Sequence, residues 1–365
     1  MNKNQIFIKS GTEYKEMTKE LLEASNLAEL IGDREKMVGI KPNLVSPSDP
    51  ADGGTTHPEI VAGILEYLNE NGFKNRMILE GSWVGDRTAD AYEVCGYREL
   101  CEAYDVKFYD TQKDKSYVLD CSGLELKICE SVKKVDFLIN VPVMKGHCQT
   151  KITCALKNMK GLIPNTEKRH FHSMGLHKPI AHLNTGIHQN FVVVDNICGD
   201  LDFEDGGNPV VMNRIWTAMD PVLVDAYVCQ QLHYEVSEVP YVKMAGELGV
   251  GCSDISKADI RVLGDDVQQN IPERRKVVEV ADAVEEVDSC SACYGYLIPA
   301  LDMLKQEGLL DKLHEKICIG QGYRGKTGEL GVGHCTRNFR HHAEGCPPTE
   351  NQIYEFLKKY ISEEL

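Results

Sequence analysis

The sequence predicts an α/β fold: a mostly parallel sheet with flanking helices, followed by a smaller C-terminal region for an iron–sulfur cluster. Three observations carry this expectation. Short apolar runs alternate with amphipathic stretches of helical period. Polar residues recur directly after those apolar runs. A CxxC pair and two further cysteines, each with a glycine one or two residues before it, lie between residues 290 and 346.

The strand-like runs, in order, are IFI at 6–8, KMVGI at 36–40, RMILE at 76–80, VKFYD at 106–110, VDFLINVPV at 135–143 and FVVVD at 191–195. Helical patterns cover 13–30, 57–71, 150–160, 221–233 and 238–248. The second of these has Thr56 as an N-cap, Pro58 in its first turn and Glu59 near the positive end of the helix dipole. Between 255 and 287 the texture turns charged and β-branched, which puts a domain boundary there: an α/β domain over 1–265 and a cluster domain over 266–365. A chain of 365 residues with 42% apolar content is long enough for two such bodies.

Charge and cysteine content exclude several function classes. The net charge of −16 argues against nucleic acid or an anionic membrane as partner. The opening MNKNQIFIKSGTEYKEMTKE has no apolar core of a signal, and no run is long enough to span a bilayer. These features point to a soluble cytoplasmic protein, and they leave a homodimer open. Fourteen cysteines then belong in a reducing compartment, bound to metal or packed in cores. Cys95, Cys101, Cys129, Cys154 and Cys229 lie in apolar patterns as small buried hydrophobes.

The remaining cysteines carry chemistry. VDSCSACYG supplies Cys290 and Cys293, GVGHCTRN supplies Cys335, and AEGCPPTE supplies Cys346 after ten intervening residues. Thiolates are the usual ligands of iron–sulfur clusters, and proline after a cluster cysteine is a familiar context. Gly333 and Gly345 let backbone N–H groups come close to sulfide. The order CxxC, GxC, GCPP is similar to the cluster motif of the nickel–iron hydrogenase small subunit, a likeness limited to the motif. One [4Fe-4S] cluster on these four thiols is expected. Zinc also accepts four cysteines, but more often from two compact knuckles. Cys318, in the apolar run KICIG, reads as core.

Polar groups follow four of the expected strands: Lys41-Pro42-Asn43, Glu80-Gly81-Ser82, Lys145-Gly146-His147 and Asp195-Asn196. Ligands of open α/β sheets bind beyond the carboxyl ends of the strands, so these groups point to one shared cleft. Residues 145–188 hold six of the twelve histidines and are basic in an acidic protein. Such a segment suits a small anionic substrate or cofactor, or else forms a charged surface loop. Lys145, His147 and Lys157 are the candidate acid–base groups, with Asn158 beside them and Gly161 closing their helix. No Walker loop, dinucleotide fingerprint or nucleophile elbow is present.

The motifs IKPN at 40–43, TTHP at 55–58, VPVMKGH, ALKNMKGLIP at 155–164, VVDN, GGNP at 206–209 and MDPVLVD at 219–225 together resemble the family labelled domain of unknown function 362. Its members are often described as iron–sulfur cluster-binding proteins. The resemblance covers roughly 35–263. It implies a redox setting in anaerobes and marks Lys41, Asn43, Thr55, His57, Lys145, His147, Lys157, Asn158, Asp195 and Asp225 as binding positions, to which the strand-end pattern adds Glu80. Many relatives carry a two-cluster ferredoxin-type module; this sequence has the sparse constellation instead, so one cluster is expected. The expected function is an iron–sulfur oxidoreductase or electron-transfer protein with a ferredoxin- or flavodoxin-like partner. The alternatives are a non-redox isomerase or lyase acting on a small carboxylic acid, with a structural cluster, and a cluster carrier.

Overall fold

The computed structural model describes residues 1–204, 206–265, 267, 271 and 276–363. The chain divides into two compact units: residues 1–169 with 177–271, and residues 170–176 with 272–365. The division at 271/272 lies six residues beyond the expected boundary, and the second unit also takes residues 170–176.

The first unit contains β1 (Gln5–Ser10), β2 (Val38–Pro42), β3 (Arg76–Glu80), β4 (Lys107–Asp110), β5 (Ser116–Asp120), β6 (Glu125–Cys129), β7 (Phe137–Val141), β8 (Lys145–His147), β9 (Lys151–Thr153), β10 (Phe191–Asp200), β11 (Pro209–Ala218) and β12 (Asp259–Val262). Its helices are α1 (Tyr14–Ala24), α2 (Leu27–Ile31), α3 (Pro58–Glu70), α4 (Thr88–Val94), α5 (Tyr97–Tyr104), α6 (Ala155–Asn158), α7 (Asn165–Met174, which runs on into the second unit), α8 (His177–Gly186), α9 (Pro221–Gln231) and α10 (Pro240–Glu247). Eight strands form one sheet in the order β12-β1-β11-β10-β7-β2-β3-β4, and β11 runs against the others. β5–β6 and β8–β9 are separate antiparallel hairpins.

Strand residues alternate between faces. Val38, Ile40, Ile78, Ile139, Val193 and Ile215 join one apolar cluster with α1, α2, α3 and α5. Their neighbours Leu79, Leu138, Val192 and Val194 are buried as well, which requires a second layer. The helices α6, α8, α9 and α10, packed on one another, supply it. A sheet covered on both faces explains why its strands read as continuous apolar runs.

Two expected helices are divided. The 13–30 pattern breaks at Asn26, which takes a left-handed conformation between α1 and α2. The 150–160 pattern resolves into β9 and the single turn of α6, because residues 151–153 pair with 145–147 before the chain turns. Thr56 does not cap α3. Its hydroxyl donates to the Val141 carbonyl and accepts from the Asn43 N–H, each at 2.8 Å, and so ties β2 to β7.

From β2 the chain steps outward through β3 to β4, then returns to lay β7 on the other side of β2 and β10 beyond it. That reversal makes the crevice above β2 and β7 a topological switch point, where doubly wound sheets bind ligands.

The second unit contains β13 (Val284–Glu286), β14 (Ile317–Ile319), β15 (Leu330–Val332) and β16 (His341–Ala343), all parallel and in that order. The helices α11 (Lys276–Ala281), α12 (Ser291–Gln306) and α13 (Glu350–Glu363) pack around it, with Leu297, Leu301, Ile319, Val332, Ile353 and Leu357 buried.

Candidate functional site

The switch point carries a buried polar network. Lys41 and Asn140 are register partners on β2 and β7, and both are fully buried. The Lys41 ammonium pairs with the Glu80 carboxylate and donates to Asn158 Oδ1 at 3.0 Å and to the Pro42 carbonyl at 2.6 Å. Asn43 donates to the same Asn158 oxygen at 3.0 Å, and Asn158 in turn donates to Asn140 Oδ1 at 2.7 Å. Lys145 Nζ reaches Asn43 Oδ1 at 3.3 Å, the Gly54 carbonyl at 2.5 Å and the Glu204 carbonyl at 2.6 Å. Lys168 donates to the Gly81 and Ser82 carbonyls beyond β3. Burial, against the pull of Glu80 and with the repulsion of Lys41, brings the Lys168 pKa down to about 8.

Local folding delivers these groups. Asp225 on α9 accepts the Ala155 and Leu156 N–H groups at 2.7 and 3.1 Å, which fixes the start of α6 and therefore Lys157 and Asn158. Burial raises the Asp225 pKa to about 7, although those N–H donors oppose the shift. Gly161 does not end a helix as expected. It lies in the turn after α6, where an added Cβ would stand 2.0 Å from Glu80 Oε1 and 2.5 Å from Lys41 Cε.

Beside this network lies a second group. Lys157 donates to Thr153 Oγ1 at 3.1 Å and pairs with the Glu204 carboxylate. His147 Nδ1 accepts the Gln149 and Thr150 N–H groups at 3.0 and 3.1 Å, so it carries no proton. The ring is therefore neutral, with its hydrogen on Nε2, 3.3 Å from Glu204 Oε1. Burial, with the repulsion of Lys157 and Lys160, pushes the His147 pKa down to about 4 despite Glu204. Lys160, three residues beyond Lys157, meets no hydrogen-bonding or ion-pair partner among the described residues. Burial and Lys157 bring its pKa down to about 7, against the attraction of Glu204.

Thr55, His57, Asp195 and Asp225 brace the loops that hold these groups. The Thr55 hydroxyl donates to the Ser48 carbonyl at 3.1 Å. Asp195 accepts the His57 N–H at 2.7 Å and its ring Nδ1 at 2.9 Å. Burial opposes charge on that ring, yet Asp195 lifts its pKa to about 10, so it is an imidazolium at neutral pH. The sequence reading missed Lys160, Lys168, Asn140 and Glu204. The i, i+3 spacing of Lys157 and Lys160, which sets two lysines on one helical face, was the available signal for the first.

In the second unit the four expected ligands follow the carboxyl ends of three parallel strands. Cys290 and Cys293 follow β13 and open α12, Cys335 follows β15 and Cys346 follows β16. Burial raises the Cys293 pKa to about 12, with Cys290, Cys346 and Cys335 adding to the shift. Cys290 is raised by burial, then by Cys335 and Cys346. The Cys335 thiol beside Arg324 holds the guanidinium's pKa above its usual value. Gln321 Nε2 stands 3.7 Å from Cys290 Sγ. Gly333 and Gly345 both take positive φ, and a Cβ on Gly333 would lie 3.7 Å from Cys293 Sγ. Among the described residues no three His, Cys, Asp or Glu side chains are grouped to hold a metal ion. Cys318, read from the sequence as core, lies within β14 and is only partly buried.

Among the described residues no helix is long and apolar enough to cross a membrane. A thylakoid-associated protein of Synechocystis sp. is 29% identical over 147 residues, which are 39% of this chain and 42% of that protein. The chain thus spans less than half the length of this curated relative. Among solved structures, a lactate racemase apoprotein from Thermoanaerobacterium thermosaccharolyticum aligns with TM-score 0.40 and 16% identity, over 64% of this chain and 57% of that one. A protein from Thermotoga maritima aligns with TM-score 0.37 and 13% identity, over 65% and 60%. The model of the family described as Domain of unknown function (DUF362) matches residues 38–230, more than half of the sequence, running from β2 into α9 over the segments that build the polar network, and the chain belongs to that family.

Proposed function

We propose that this is an iron–sulfur protein of anaerobic metabolism, which binds a small anionic substrate or cofactor in its first unit and exchanges electrons through a [4Fe-4S] cluster in its second. The observation that carries the proposal is the placement of Cys290, Cys293, Cys335 and Cys346 after three strand ends of one sheet, where burial and then Cys290, Cys346 and Cys335 raise the pKa of Cys293. The donor set fits the group: four thiols, a guanidinium to favour thiolate, and a glycine, Gly333, beside the Cys293 thiol. When bound, the cluster supplies a one-electron couple suited to a ferredoxin- or flavodoxin-like partner.

In the first unit, His147 and Lys157 would meet the anion, while Lys41, Asn43, Glu80, Lys145 and Asn158 hold the frame rigid. A second reading is favoured by one specific feature. A neutral imidazole beside a lysine of pKa about 7 makes an acid–base pair poised for proton transfer at a carbon next to a carboxylate. On that reading the protein is an isomerase or lyase and its cluster is structural.

The test is iron and acid-labile sulfide content after anaerobic purification, for the wild type and for each Cys→Ser variant. About four of each per chain is expected, with loss in Cys290→Ser, Cys293→Ser, Cys335→Ser and Cys346→Ser and retention in Cys318→Ser. Zinc in a colourless protein, or a cluster lost in Cys318→Ser but kept in Cys335→Ser, would refute the assignment.

A further inference from the structure

Glu204 holds an unusual position. Its carboxylate, 29% exposed, lies on the buried side chains of His147 and Lys157. Burial alone would raise its pKa, but the His147 N–H, Lys157 and Lys160 hold it well below the usual carboxylate range. One carboxylate therefore faces two lysines and a ring N–H, and the Lys160 ammonium is left without a partner among the described residues. The connection from β10 to β11 that carries Glu204 is shaped for this contact. Asp200 accepts the N–H groups of Asp202, Phe203 and Asn208 at 2.9, 2.9 and 3.0 Å. A Cβ on Gly146 would stand 2.0 Å from the Leu201 carbonyl oxygen, so only glycine lets β8 approach this connection so closely.

We infer that His147, Lys157 and Lys160 form a recognition subsite for the carboxylate of a small organic acid, and that the chain's own Glu204 occupies this subsite until such an acid displaces it. The inference rests on the reading of the first unit as an anion site and specifies its ligand class. The geometry supports displacement over a permanent ion pair. Glu204 is the partly exposed partner, whereas His147 and Lys157 stay buried and are held from behind by Gln149, Thr150 and Thr153. A ligand carboxylate would take the same charge-assisted bonds and add one to Lys160. An intramolecular carboxylate competes at high effective concentration, which weakens external binding without altering the subsite.

The test is calorimetric binding of malonate, with inorganic phosphate as comparator, to the full-length protein at pH 6.5. Glu204→Gln should bind malonate at least tenfold more tightly than the wild type, and Lys160→Met at least tenfold more weakly. Should Glu204→Gln fail to fold, Glu204→Ala and the Lys160→Met comparison carry the same test. If the wild type binds malonate and loss of the Glu204 charge leaves affinity equal or weaker, Glu204 is part of the site and the displacement is refuted, while the anion reading stands. Binding of phosphate but not malonate refutes the ligand class. No binding of either anion by any variant refutes the inference together with the anion reading.

Discussion

Lys41 and Glu80 form an ion pair whose side chains are 0% and 3% exposed. Removing two such charges from water costs several kcal/mol per ion, so the pair persists only because its remaining hydrogen bonds are supplied. Asn158 and the Pro42 carbonyl complete the ammonium, and the Gly81 and Leu44 N–H groups complete the carboxylate. Lys41→Met or Glu80→Gln alone strands a buried charge and should lower stability by about 3–5 kcal/mol. The double variant should lose less than the sum, as denaturant midpoints would show; additive losses would mean that the two charges do not depend on each other. His147 gives a pH dependence of definite sign. Its folded pKa of about 4 lies below the unfolded value near 6.5, so the unfolded chain takes up the proton first. Stability from this residue is complete above about pH 6.5 and is lost as pH falls toward 4, on the order of 3 kcal/mol in all. His177, pushed down to about 4 by burial and by His147, acts in the same direction. His147→Gln should flatten the slope of unfolding free energy between pH 6.5 and 5, and an unchanged slope would contradict the neutral ring. Lys160, with a pKa of about 7, should be the lysine most readily acylated at pH 7.5. A surface lysine keeps only about a thousandth of its amine neutral there. Peptide mass spectrometry after limiting acetylation reads this out, and labelling no faster than at the exposed Lys243 of α10 would contradict it.

At the scale of elements, the one-turn helix α6 is held by a side chain from elsewhere in the sequence. Asp225 caps it from α9, so Asp225→Ala should cost about 1–2 kcal/mol and weaken anion binding through Lys157, while iron content stays the same. Loss of iron instead would mean that the variant disturbs more than this turn. The same element shows how far the sequence could be read. Strands with both faces buried announced themselves as apolar runs, and the polar residues after them marked the rim. The helix expected at 150–160 failed because residues 151–153 found a hairpin partner in 145–147, and pairing overrides local period. β11 went unread because its first residues, Pro209–Val211, are partly or fully exposed and its neighbour β10 runs the opposite way, with no alternation to mark it among parallel runs. Glu204 was invisible for a different reason. It reaches Lys157 across 47 positions through a loop, and no local spacing encodes that approach.

At the scale of the whole molecule, the chain joins a large sheet with a polar switch point and a smaller parallel sheet rimmed by cysteines. The four cysteines stand out in the sequence because thiols with flanking glycine and proline form a motif regardless of fold, and their role as cluster ligands belongs to the proposal. The sheet beneath them was not legible, because each of its strands is three residues long, too short to show a period of two. The change of texture over 255–287 suggested a boundary at 265/266 and the compact units divide at 271/272, whereas the grouping of residues 170–176 with the second unit has no local signal, since most of them continue α7. The most direct measurement on the whole is a potentiometric titration of the anaerobically purified protein, followed by visible absorbance and electron paramagnetic resonance. The expected result is a reversible one-electron couple that persists in Lys160→Met and disappears in Cys335→Ser. A cluster that is present but does not cycle would contradict the redox reading and leave the isomerase or lyase, and a protein holding zinc would contradict the cluster itself.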